Sequence, residues 1–330
     1  MTESIDLRDR TMKTAVVTGC AGFIGSHLCE RLVAEGHRVI GIDIFRPYYD
    51  RADKLFNLSG LADEPRFDLV EIDLATADLH TIVGQAETVF HLAAQAGVRS
   101  SFGEGFEAYA RDNVVATQRL FEAAASTGRR RVVWASSSSV YGDAPSYPCH
   151  EVTTPTHPRS PYGVTKRACE DLAEVYRIRG LSLVGLRYFT VYGPRQRPDM
   201  AVRRLCEIAA NGGTFSLFGT GRQTRDITYV EDVVEATLLA GRAERPEALY
   251  NVGGGHEVEL EELITLLEDI ARVSIPVERS SPQAGDVLRT AADTTLARVS
   301  LGWHPRVGLL EGLRHELDWV RAASKARSAA

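Results

Sequence analysis

The stretch that most restricts the fold is "TAVVTGCAGFIG", in which three glycines spaced three apart follow an apolar run at once. The run 14–18 is short and rich in β-branched residues, as buried strands are. Gly19, Gly22 and Gly25 then permit a tight turn and a close approach to the first turn of a helix. A helix N-terminus at such a turn binds phosphate groups well. This segment therefore predicts a strand–turn–helix unit that holds a dinucleotide.

Apolar strand candidates recur through the first half of the chain and alternate with amphipathic helical patterns. The strand candidates are 14–18, 37–43, 67–73, 88–93, 131–136 and 181–189, and the clearest helical patterns are 23–35, 107–127 and 162–179. After residue 190 loops rich in Gly and Pro appear, with helical patterns at 202–210, 230–241, 258–271 and 309–323. The predicted class is therefore α/β, with a doubly wound parallel (Rossmann-type) sheet and a smaller helix-rich C-terminal substrate lobe.

The second predicted strand ends on an acidic residue, Asp43, roughly 20 residues after the glycine turn. A carboxylate here accepts hydrogen bonds from both ribose hydroxyls of adenosine and repels a 2′-phosphate, so we predict NAD rather than NADP. Arg46, close in sequence, favours the opposite choice. Further cofactor contacts are predicted at Phe23, Ile24, Asp73, Leu74, Ala93 and Ala94. As alternatives, Asp73 would cap a helix and the alanines would only pack at a strand end.

These elements divide the 330 residues into a tail and two lobes, in line with the two domains expected from the length. We predict a polar tail at 1–12, a NAD-binding domain at 13–189 plus about 228–253, and a substrate-binding lobe at 190–227 and 254–330. Ligands in such folds bind outside the carboxyl ends of the strands, so we expect the site between the two lobes.

Charge and cysteine content exclude several classes of protein. A net charge of −6 with no long basic block argues against nucleic acid as a partner. The five cysteines show no C-x-x-C spacing and the nine histidines no ligand-spaced cluster, which predicts reduced thiols, a cytoplasmic protein and no metal. The chain has no signal-peptide pattern at its start and no apolar run of roughly 18 residues, so we expect no membrane partner.

The stretch "YGVTK" places Tyr162 and Lys166 four residues apart on one predicted helix, so both face the same side. A phenol is a poor base at neutral pH because its ordinary pKa is about 10. A lysine cation beside it stabilises the phenolate, and the pair can then take a proton from an alcohol. Ser137, in the stretch "SSSSVYG" after the fifth predicted strand, is the hydroxyl that we expect to share this proton.

Together these motifs resemble those of the extended short-chain dehydrogenases/reductases, in the branch of nucleotide-sugar epimerases and dehydratases. The resemblance runs from about Lys13 to Trp319 and rests on "TGCAGFIG", "GID", "EIDL", "HLAAQAGV", "SSSSVYG", "YGVTK", "RYFTVYGPRQRPDM", "RQTRDITYVEDVV", "YNVGGG" and "AGDVLRTAAD". It implies the two-lobed fold, bound NAD, and a homodimer that pairs through the helices at 107–127 and 162–179.

The stretch "SSSSVYG" departs from the dehydratase pattern of this family, which has Asp and Glu where this chain has Ser138 and Ser139. Nucleotide-glucuronate decarboxylases usually carry a glutamate at the position of Ser139. Without such an acid, elimination of water and decarboxylation lack a catalyst. The remaining residues suit epimerisation at C4 through a 4-keto sugar, with NAD regenerated. The two serines would bind an anionic sugar without repelling it, or would only be small residues packed near the sheet.

Two further stretches bear on the C6 group of the sugar. "DIFRPYYDRADKLFNL" and "RYFTVYGPRQRPDM" resemble those of UDP-glucuronate 4-epimerases, with Thr190 where many UDP-glucose epimerases have asparagine. Thr190 and an arginine, Arg197 or Arg195, are expected to hold a C6 carboxylate. A firm hold is needed because oxidation of glucuronate at C4 gives a β-keto acid, which loses its carboxylate easily.

For the nucleotide, the resemblance assigns Arg225 to the phosphates and Asp286 to the uridine ribose. Arg99 and Arg289 are further candidates, or else arginines in solvent-exposed loops. The predicted function is NAD-dependent C4 epimerisation of a UDP-sugar, UDP-glucuronate to UDP-galacturonate. The alternatives are a UDP-glucose or UDP-N-acetylglucosamine 4-epimerase, a UDP-glucuronate decarboxylase, and a non-catalytic nucleotide-binding regulator, against which the complete Y-x-x-x-K pair argues.

Overall fold

A seven-stranded parallel sheet forms the centre of the computed structural model, which describes residues 13–128 and 131–329. The predicted tail at 1–12 lies outside the described residues. The strands are β1 (Thr14–Thr18), β2 (Arg38–Asp43), β3 (Phe67–Glu71), β4 (Thr88–His91), β5 (Arg131–Ser137), β6 (Ser182–Tyr188), β7 (Thr190–Tyr192), β8 (Phe215–Phe218), β9 (Thr224–Tyr229), β10 (Leu249–Val252), β11 (Glu257–Glu259) and β12 (Val277–Ser280). The central sheet has the order β10-β6-β5-β4-β1-β2-β3, with every neighbouring pair parallel. The predicted doubly wound sheet is confirmed.

Helices cover both faces of this sheet and build much of the C-terminal lobe. They are α1 (Phe23–Ala34), α2 (Arg51–Asn57), α3 (His80–Gly84), α4 (Phe106–Tyr109), α5 (Ala116–Ser126), α6 (Pro161–Ile178), α7 (Ala201–Asn211), α8 (Val230–Arg242), α9 (Leu260–Ala271), α10 (Thr295–Leu301) and α11 (Leu309–Ala329). The helix predicted at 107–127 is α4 and α5, joined by a π-helical stretch at Ala110–Val115. The helices α2, α3 and α10 were not predicted, because five to seven residues are too few to show a helical period.

Successive residues of the strands enter different hydrophobic clusters, one on each face of the sheet. Val17 of β1 belongs to the cluster that contains Leu28 of α1 and Val233 of α8. Val16 belongs to the cluster that contains Phe121 of α5. Because successive side chains of a strand point to opposite faces, a strand covered on both sides needs apolar residues throughout. This is why the strands read as continuous apolar runs in the sequence.

Beyond β6 the chain adds two small sheets, of order β11-β9-β7 and β12-β8, beside the helices α7, α9 and α11. The sequence predicted the helices of this lobe and not its short strands. The β7 strand begins two residues after β6 and brings Thr190 to the carboxyl end of the central sheet. The predicted domain boundaries stay a prediction. Within the described ranges, no helix combines the length and the apolar character that crossing a membrane requires.

The α11 helix carries a buried carboxyl group that holds the segment after β7. Glu316 is 0% exposed, and its Oε2 accepts the N–H of Gly193 at 2.8 Å. Its Oε1 has no hydrogen-bond partner among the described residues. Burial raises the pKa of Glu316 to about 8, and the Gly193 N–H and Arg203 oppose this only in part. The carboxyl is therefore protonated in the folded protein at neutral pH, whereas an exposed glutamate is ionised.

We expect Glu316→Gln to remove a pH-dependent loss of stability. A carboxyl whose pKa is raised by folding contributes stability that is lost as the pH rises through its folded pKa of about 8. Relative to the wild type, E316Q should gain about 2–4 kcal/mol in the free energy of unfolding at pH 9 and about 1 kcal/mol or less at pH 5. Denaturant unfolding at both pH values measures this gain. An equal difference at the two values would contradict the raised pKa.

Candidate active site

A cavity of about 410 Å³ opens at the carboxyl ends of the central strands. It lies where the strand order reverses between β1 and β4, the place where doubly wound sheets bind ligands. The predicted site residues that line it are Gly19, Gly22, Phe23, Ile24, Gly25, Asp43, Asp73, Leu74, Ala93, Ala94, Ser137, Ser138, Ser139, Tyr162, Lys166, Thr190 and Arg197. The predicted residues that are not among its lining residues are Arg99, Arg195, Arg225, Asp286 and Arg289.

The glycine end of the cavity, formed by the turn from Gly19 to Gly25 and by Asp43, has no room for larger side chains. Gly19 has φ +70°, and a Cβ there would lie 2.8 Å from the backbone N of Ala93. A Cβ on Gly25 would lie 2.1 Å from the carbonyl oxygen of Gly19. No side chain caps α1, which starts after Gly22, so N–H groups of its first turn are available to an anion.

Asp43 is held in place by the backbone and by a lysine that the sequence analysis did not identify. Its Oδ2 accepts the N–H of Ala21 at 3.2 Å, and its Oδ1 accepts the N–H of Phe45 at 2.7 Å. The Nζ of Lys54, on α2, lies 3.8 Å from Oδ1. Burial lowers the pKa of Lys54, and Asp43 opposes this. Lys54 was missed because α2 was not predicted, so nothing placed it beside the second strand.

Arg46 and Asp73 belong to one charged cluster beside Asp43. Arg46 binds both carboxylate oxygens of Asp112, at 2.9 and 3.0 Å, and lies 3.4 Å from Asp73. Asp73 also pairs with Arg111. Its Oδ1 accepts the N–H of Ala75 at 2.9 Å and closes a turn, although no helix begins here as the alternative expected. Asp73 therefore lines the cavity and closes a turn at the same time.

Ser137, Tyr162 and Lys166 form the tyrosine end of the cavity. The hydroxyl of Ser160 accepts the N–H of Gly163 and so starts α6 two residues before Tyr162. One turn later, the buried Nζ of Lys166 donates to the carbonyl of Ala135 at 2.8 Å and lies 6.0 Å from the Tyr162 ring centre. The Ser137 Oγ, at the end of β5, accepts the N–H of Ser139 at 3.1 Å. Its hydroxyl proton is therefore available to a ligand.

The π-helical stretch contains Asn113, which connects the loop after β4 to α6. Its Oδ1 accepts the N–H of Gln95 at 2.7 Å. Its Nδ2 donates to the carbonyl of Gln95 at 3.0 Å and to the hydroxyl of Thr165 at 2.9 Å. π-Helical turns occur often at functional sites. The sequence analysis missed Asn113, because a helical pattern does not reveal the extra residue in one turn.

Arg197 and Arg195 lie on opposite sides of the backbone, although they are two residues apart. Arg197 lines the cavity and donates to both oxygens of Asp199, at 2.9 and 3.0 Å. Burial opposes its charge, but the pairing with Asp199 raises the pKa of Arg197. Arg195 instead pairs with Glu30 of α1 at 2.7 Å, so the structure does not bring it to the cavity.

Three of the residues predicted for the nucleotide lie together beyond the cavity lining. Arg99 donates to Asp286 at 2.8 Å and lies over the ring of Phe218, 4.4 Å from its centre. Burial lowers the pKa of Arg225, Asp286 opposes this, and the nearby charge of Arg99 adds to it. Arg289, whose backbone bridges to Thr224 beside Arg225, instead forms an exposed ion pair with Glu257, at 2.6 and 2.8 Å.

Among the described residues that line the cavity, no carboxylate belongs to β5 or α6, the elements of the tyrosine end. Those that line the cavity are Asp43, Asp73 and Asp112. Asp43 ends β2, which is three strands from β5 in the sheet, a separation of about 14 Å at the usual strand spacing. The described residues also contain no group of three or more His, Cys, Asp or Glu side chains that could hold a metal ion.

A buried ion pair lies behind the tyrosine end. Arg187 of β6 donates to Glu170 of α6 at 2.8 and 2.7 Å, and both side chains are at most 3% exposed. Although burial opposes it, the bonds to Glu170 raise the pKa of Arg187. Glu170 also accepts the hydroxyl of Ser136 at 2.6 Å, and Arg187 donates to Tyr141 at 2.8 Å. This network joins β5, β6 and the helix that carries Tyr162.

We expect Glu170→Gln to lower the free energy of unfolding by about 3–5 kcal/mol, because it leaves the buried Arg187 without its counter-charge. The matched control is Glu174→Gln on the same helix, where Glu174 is 63% exposed and pairs with Arg177 at 3.3 Å. That change should cost less than about 0.5 kcal/mol. Denaturant unfolding compares the two variants. A similar, small effect of both would show that the buried pair contributes little.

The comparisons with known proteins agree with the resemblance noted in the sequence. The chain matches the NAD dependent epimerase/dehydratase family over residues 15–253. It is 41% identical to an uncharacterised UDP-glucose epimerase of Bacillus subtilis, over 92% of this chain and 97% of that protein. It is 35% identical to a UDP-glucuronate 4-epimerase of Thermodesulfobacterium geofontis, over 93% of this chain and 95% of that protein.

A solved structure of a relative supports the same family assignment. The UDP-glucuronic acid 4-epimerase of Bacillus cereus, in complex with UDP-glucuronic acid and NAD, matches with a TM-score of 0.89 and 36% identity. The match covers 94% of this chain and 99% of that one. The family resemblance and the fold expected from the sequence are both confirmed, and the chain belongs to the NAD dependent epimerase/dehydratase family.

Proposed function

We propose that the protein is an isomerase that inverts C4 of a UDP-sugar with the help of bound NAD, and that UDP-glucuronate, converted to UDP-galacturonate, is its substrate. The observation that carries the proposal is the tyrosine end of the cavity, where Ser137, Tyr162 and Lys166 meet without a carboxylate. Relatives named as UDP-sugar epimerases support it at 35–41% identity.

The glycine end fits a dinucleotide. A Cβ at Gly19 would collide with the backbone of Ala93, and one at Gly25 with the backbone of Gly19, so only glycines permit the tight turn that leaves the start of α1 open to a pyrophosphate. Asp43 is placed to accept the adenosine ribose hydroxyls, and Arg46 is already bound to Asp112. NAD rather than NADP therefore suits this end. When bound, NAD supplies a hydride acceptor and donor for the carbon that is inverted.

The residues of the tyrosine end transfer the proton of the C4 hydroxyl. Tyr162 takes this proton as the alcohol becomes a ketone and returns it when the alcohol is formed again. The Lys166 cation, fixed by the Ala135 carbonyl, stabilises the phenolate. Ser137, oriented by the Ser139 N–H, donates a hydrogen bond to the same sugar oxygen and keeps its own proton. Elimination of water needs an acid here, and Ser138 and Ser139 supply none; the glutamate usual in decarboxylases is also absent.

The 4-keto form of glucuronate is a β-keto acid, so its carboxylate must be held out of line with the carbonyl. Ser138, Ser139 and Thr190 line the cavity and offer hydroxyl hydrogen bonds for this purpose. Arg197 offers the free edge of a guanidinium whose other edge binds Asp199. The hydroxyls attract a carboxylate without adding a negative charge to the site.

For the uridine diphosphate we propose Arg99, Arg225 and Asp286, which lie together outside the cavity lining. Arg225 is partly buried and forms no ion pair with a carboxylate among the described residues, so an anion would compensate its charge. Asp286 is held by Arg99, and its carboxylate suits ribose hydroxyls. Arg195 and Arg289 are bound to Glu30 and Glu257, so we do not include them in the proposed site.

The homodimer and the cytoplasmic location expected from the sequence remain predictions. A homodimer through α4–α5 and α6 is supported by exposed apolar side chains on these helices, Val115, Val164, Val175 and Ile178. Light scattering at micromolar concentration tests it, and a monomer would contradict it.

A cytoplasmic location is supported by the five cysteines, all of which are free and buried.

We expect the purified protein to convert UDP-glucuronate to UDP-galacturonate without added NAD, as followed by proton NMR. Tyr162→Phe should lower the rate at least about 100-fold, because the proton acceptor is lost. The control is Tyr176→Phe on the same helix, whose hydroxyl binds Glu122 at 2.6 Å and should not affect the rate more than about twofold. A UDP-pentose with release of CO2, or an active Y162F, would contradict the proposal.

We expect Gly19→Ala to reduce the amount of NAD that remains bound during purification, because the added Cβ meets the Ala93 backbone at 2.8 Å. Gly36→Ala is the matched control, since Gly36 also has a positive φ, +87°, but has nothing within 4 Å. Its NAD content should equal that of the wild type. Absorbance of the nucleotide released from denatured protein measures both. Equal losses in the two variants would point to strain alone.

A further inference from the structure

Tyr109, the last residue of α4, packs against the proposed proton acceptor Tyr162 and is not among the residues that line the cavity. Its side chain is 2% exposed. The rings of Tyr109 and Tyr162 meet edge to face, with their centres 6.2 Å apart and their planes at 75°. Aromatic rings attract each other in this arrangement. The Tyr162 ring is therefore held on one side by a buried ring, while it also faces the cavity.

The hydroxyl of Tyr109 binds the segment after β4 that we call the cavity loop, residues 95–101. It donates to the carbonyl of Ala96 at 2.8 Å. Because its one proton is used there, its oxygen accepts the hydroxyl of Ser100, at 2.6 Å. The members of this loop that line the cavity are Gln95, Ala96, Gly97 and Val98. Arg99, proposed for the phosphates, follows them, so one buried hydroxyl holds the loop on both sides of Arg99.

The cavity loop has little freedom at this contact. Gly97 has φ +106°, and a Cβ there would lie 2.4 Å from the hydroxyl of Tyr48 and 3.3 Å from that of Tyr109. Asn113, four residues after Tyr109, binds the backbone of Gln95 as well. The helical run that begins at α4 thus holds the loop through two side chains.

Tyr109 does not itself take part in proton transfer. Burial raises the pKa of Tyr109, so its phenol is protonated at neutral pH and is no base. Its hydroxyl proton is bound to the Ala96 carbonyl. Any effect of Tyr109 on the reaction therefore acts through the groups that it contacts, the Tyr162 ring and the cavity loop.

We infer that Tyr109 is a positioning residue with two separable roles. Its ring sets the tilt of the Tyr162 phenol toward the sugar, and its hydroxyl holds the cavity loop in the shape that binds the nucleotide. The inference rests on the proposed C4 epimerisation and on the placement of the phosphates beside Arg99. It predicts that loss of the ring lowers kcat, whereas loss of the hydroxyl alone weakens nucleotide binding.

The role of the ring is tested by kcat for UDP-glucuronate, followed by NMR and expressed per bound NAD. Tyr109→Phe keeps the ring, so kcat should stay within about twofold of the wild type. Tyr109→Leu removes the ring and should lower kcat about tenfold, because a small displacement of a reacting group costs much of the rate. If Y109L does not fold, Tyr109→Met fills the space without a ring and should lower kcat in the same way. Equal kcat values in the variants with and without the ring would overturn this role.

Phe121→Leu is the matched control for the loss of a buried ring. Phe121, on α5, is 0% exposed, and its ring meets that of Trp134 edge to face, with centres 6.1 Å apart. F121L should lower the free energy of unfolding much as Y109L does, but should leave kcat within about twofold of the wild type. A loss of kcat in F121L as large as that in Y109L would show that destabilisation alone explains the effect.

The role of the hydroxyl is tested by the Kd of UDP, measured by calorimetry without any turnover. Tyr109→Phe and Ser100→Ala each remove the hydrogen bond between the two hydroxyls, and each should raise the Kd about fivefold. The double variant should bind UDP no more weakly than the weaker single variant, since both changes break one network. Ser126→Ala, which removes a hydroxyl that donates to the Ala123 carbonyl on α5, should leave the Kd unchanged. Additive effects in the double variant would overturn this role.

The failures of the two proposals are distinguishable. If the wild type epimerises no UDP-sugar, the proposed function fails and the role of the Tyr109 ring fails with it. If the wild type is active and Y109L keeps the kcat of the wild type, or if Y109F and S100A bind UDP as the wild type does, the proposed function stands and the corresponding role of Tyr109 is overturned.

Discussion

The buried ion pair between Arg187 and Glu170 is the interaction on which the rest of the site depends. It fixes α6 against β6, and the hydroxyl of Ser136 ties it to β5. Those elements carry Lys166 and Tyr162 on the helix and Ser137 at the end of the strand. A charged pair in this place has one low-energy arrangement, because each carboxylate oxygen must meet its own donor. The spacing of the catalytic groups is thus set by this buried ion pair rather than by the loops around the ligand.

The sheet itself separates two kinds of chemistry. At β1 and β2 a tight turn offers backbone N–H groups, and Asp43 offers a carboxylate, as a dinucleotide requires. At β5 and α6 the same cavity offers hydroxyls and an ammonium group instead. About 14 Å of strand spacing separates Asp43 from the end of β5. No carboxylate among the described lining residues belongs to β5 or α6, so the two ends of the cavity offer different groups.

Much of this could be predicted from the sequence, because the motifs are local. The glycine turn, Asp43 and the Tyr162–Lys166 pair each lie within a single strand, turn or helix, where spacing decides which side chains meet. The alternation of strands and helices predicts the central parallel sheet for the same reason. The short strands of the C-terminal lobe are too brief to show a period of two, and they depend on partners far along the chain.

The residues that could not be predicted depend on contacts between remote segments. Arg195 and Arg197 have the same chemistry in the sequence, and only their partners distinguish them. Arg195, with φ +68°, reaches Glu30 on α1, whereas Arg197 meets Asp199 at the cavity. Lys54 reaches Asp43 only because a short helix follows the second strand. No spacing rule connects Arg195 to Glu30 or Lys54 to Asp43, so these pairs are visible only in three dimensions.

The central claim is that C4 of the sugar is oxidised and reduced again inside one cavity. The most direct test is to supply UDP-glucuronate with deuterium at C4, in ordinary water, and to read the label in the UDP-galacturonate that forms. The account predicts that deuterium remains at C4, because the hydrogen leaves and returns without exchange with solvent. Loss of the deuterium to water would contradict it, since inversion would then proceed by removal of a proton from carbon.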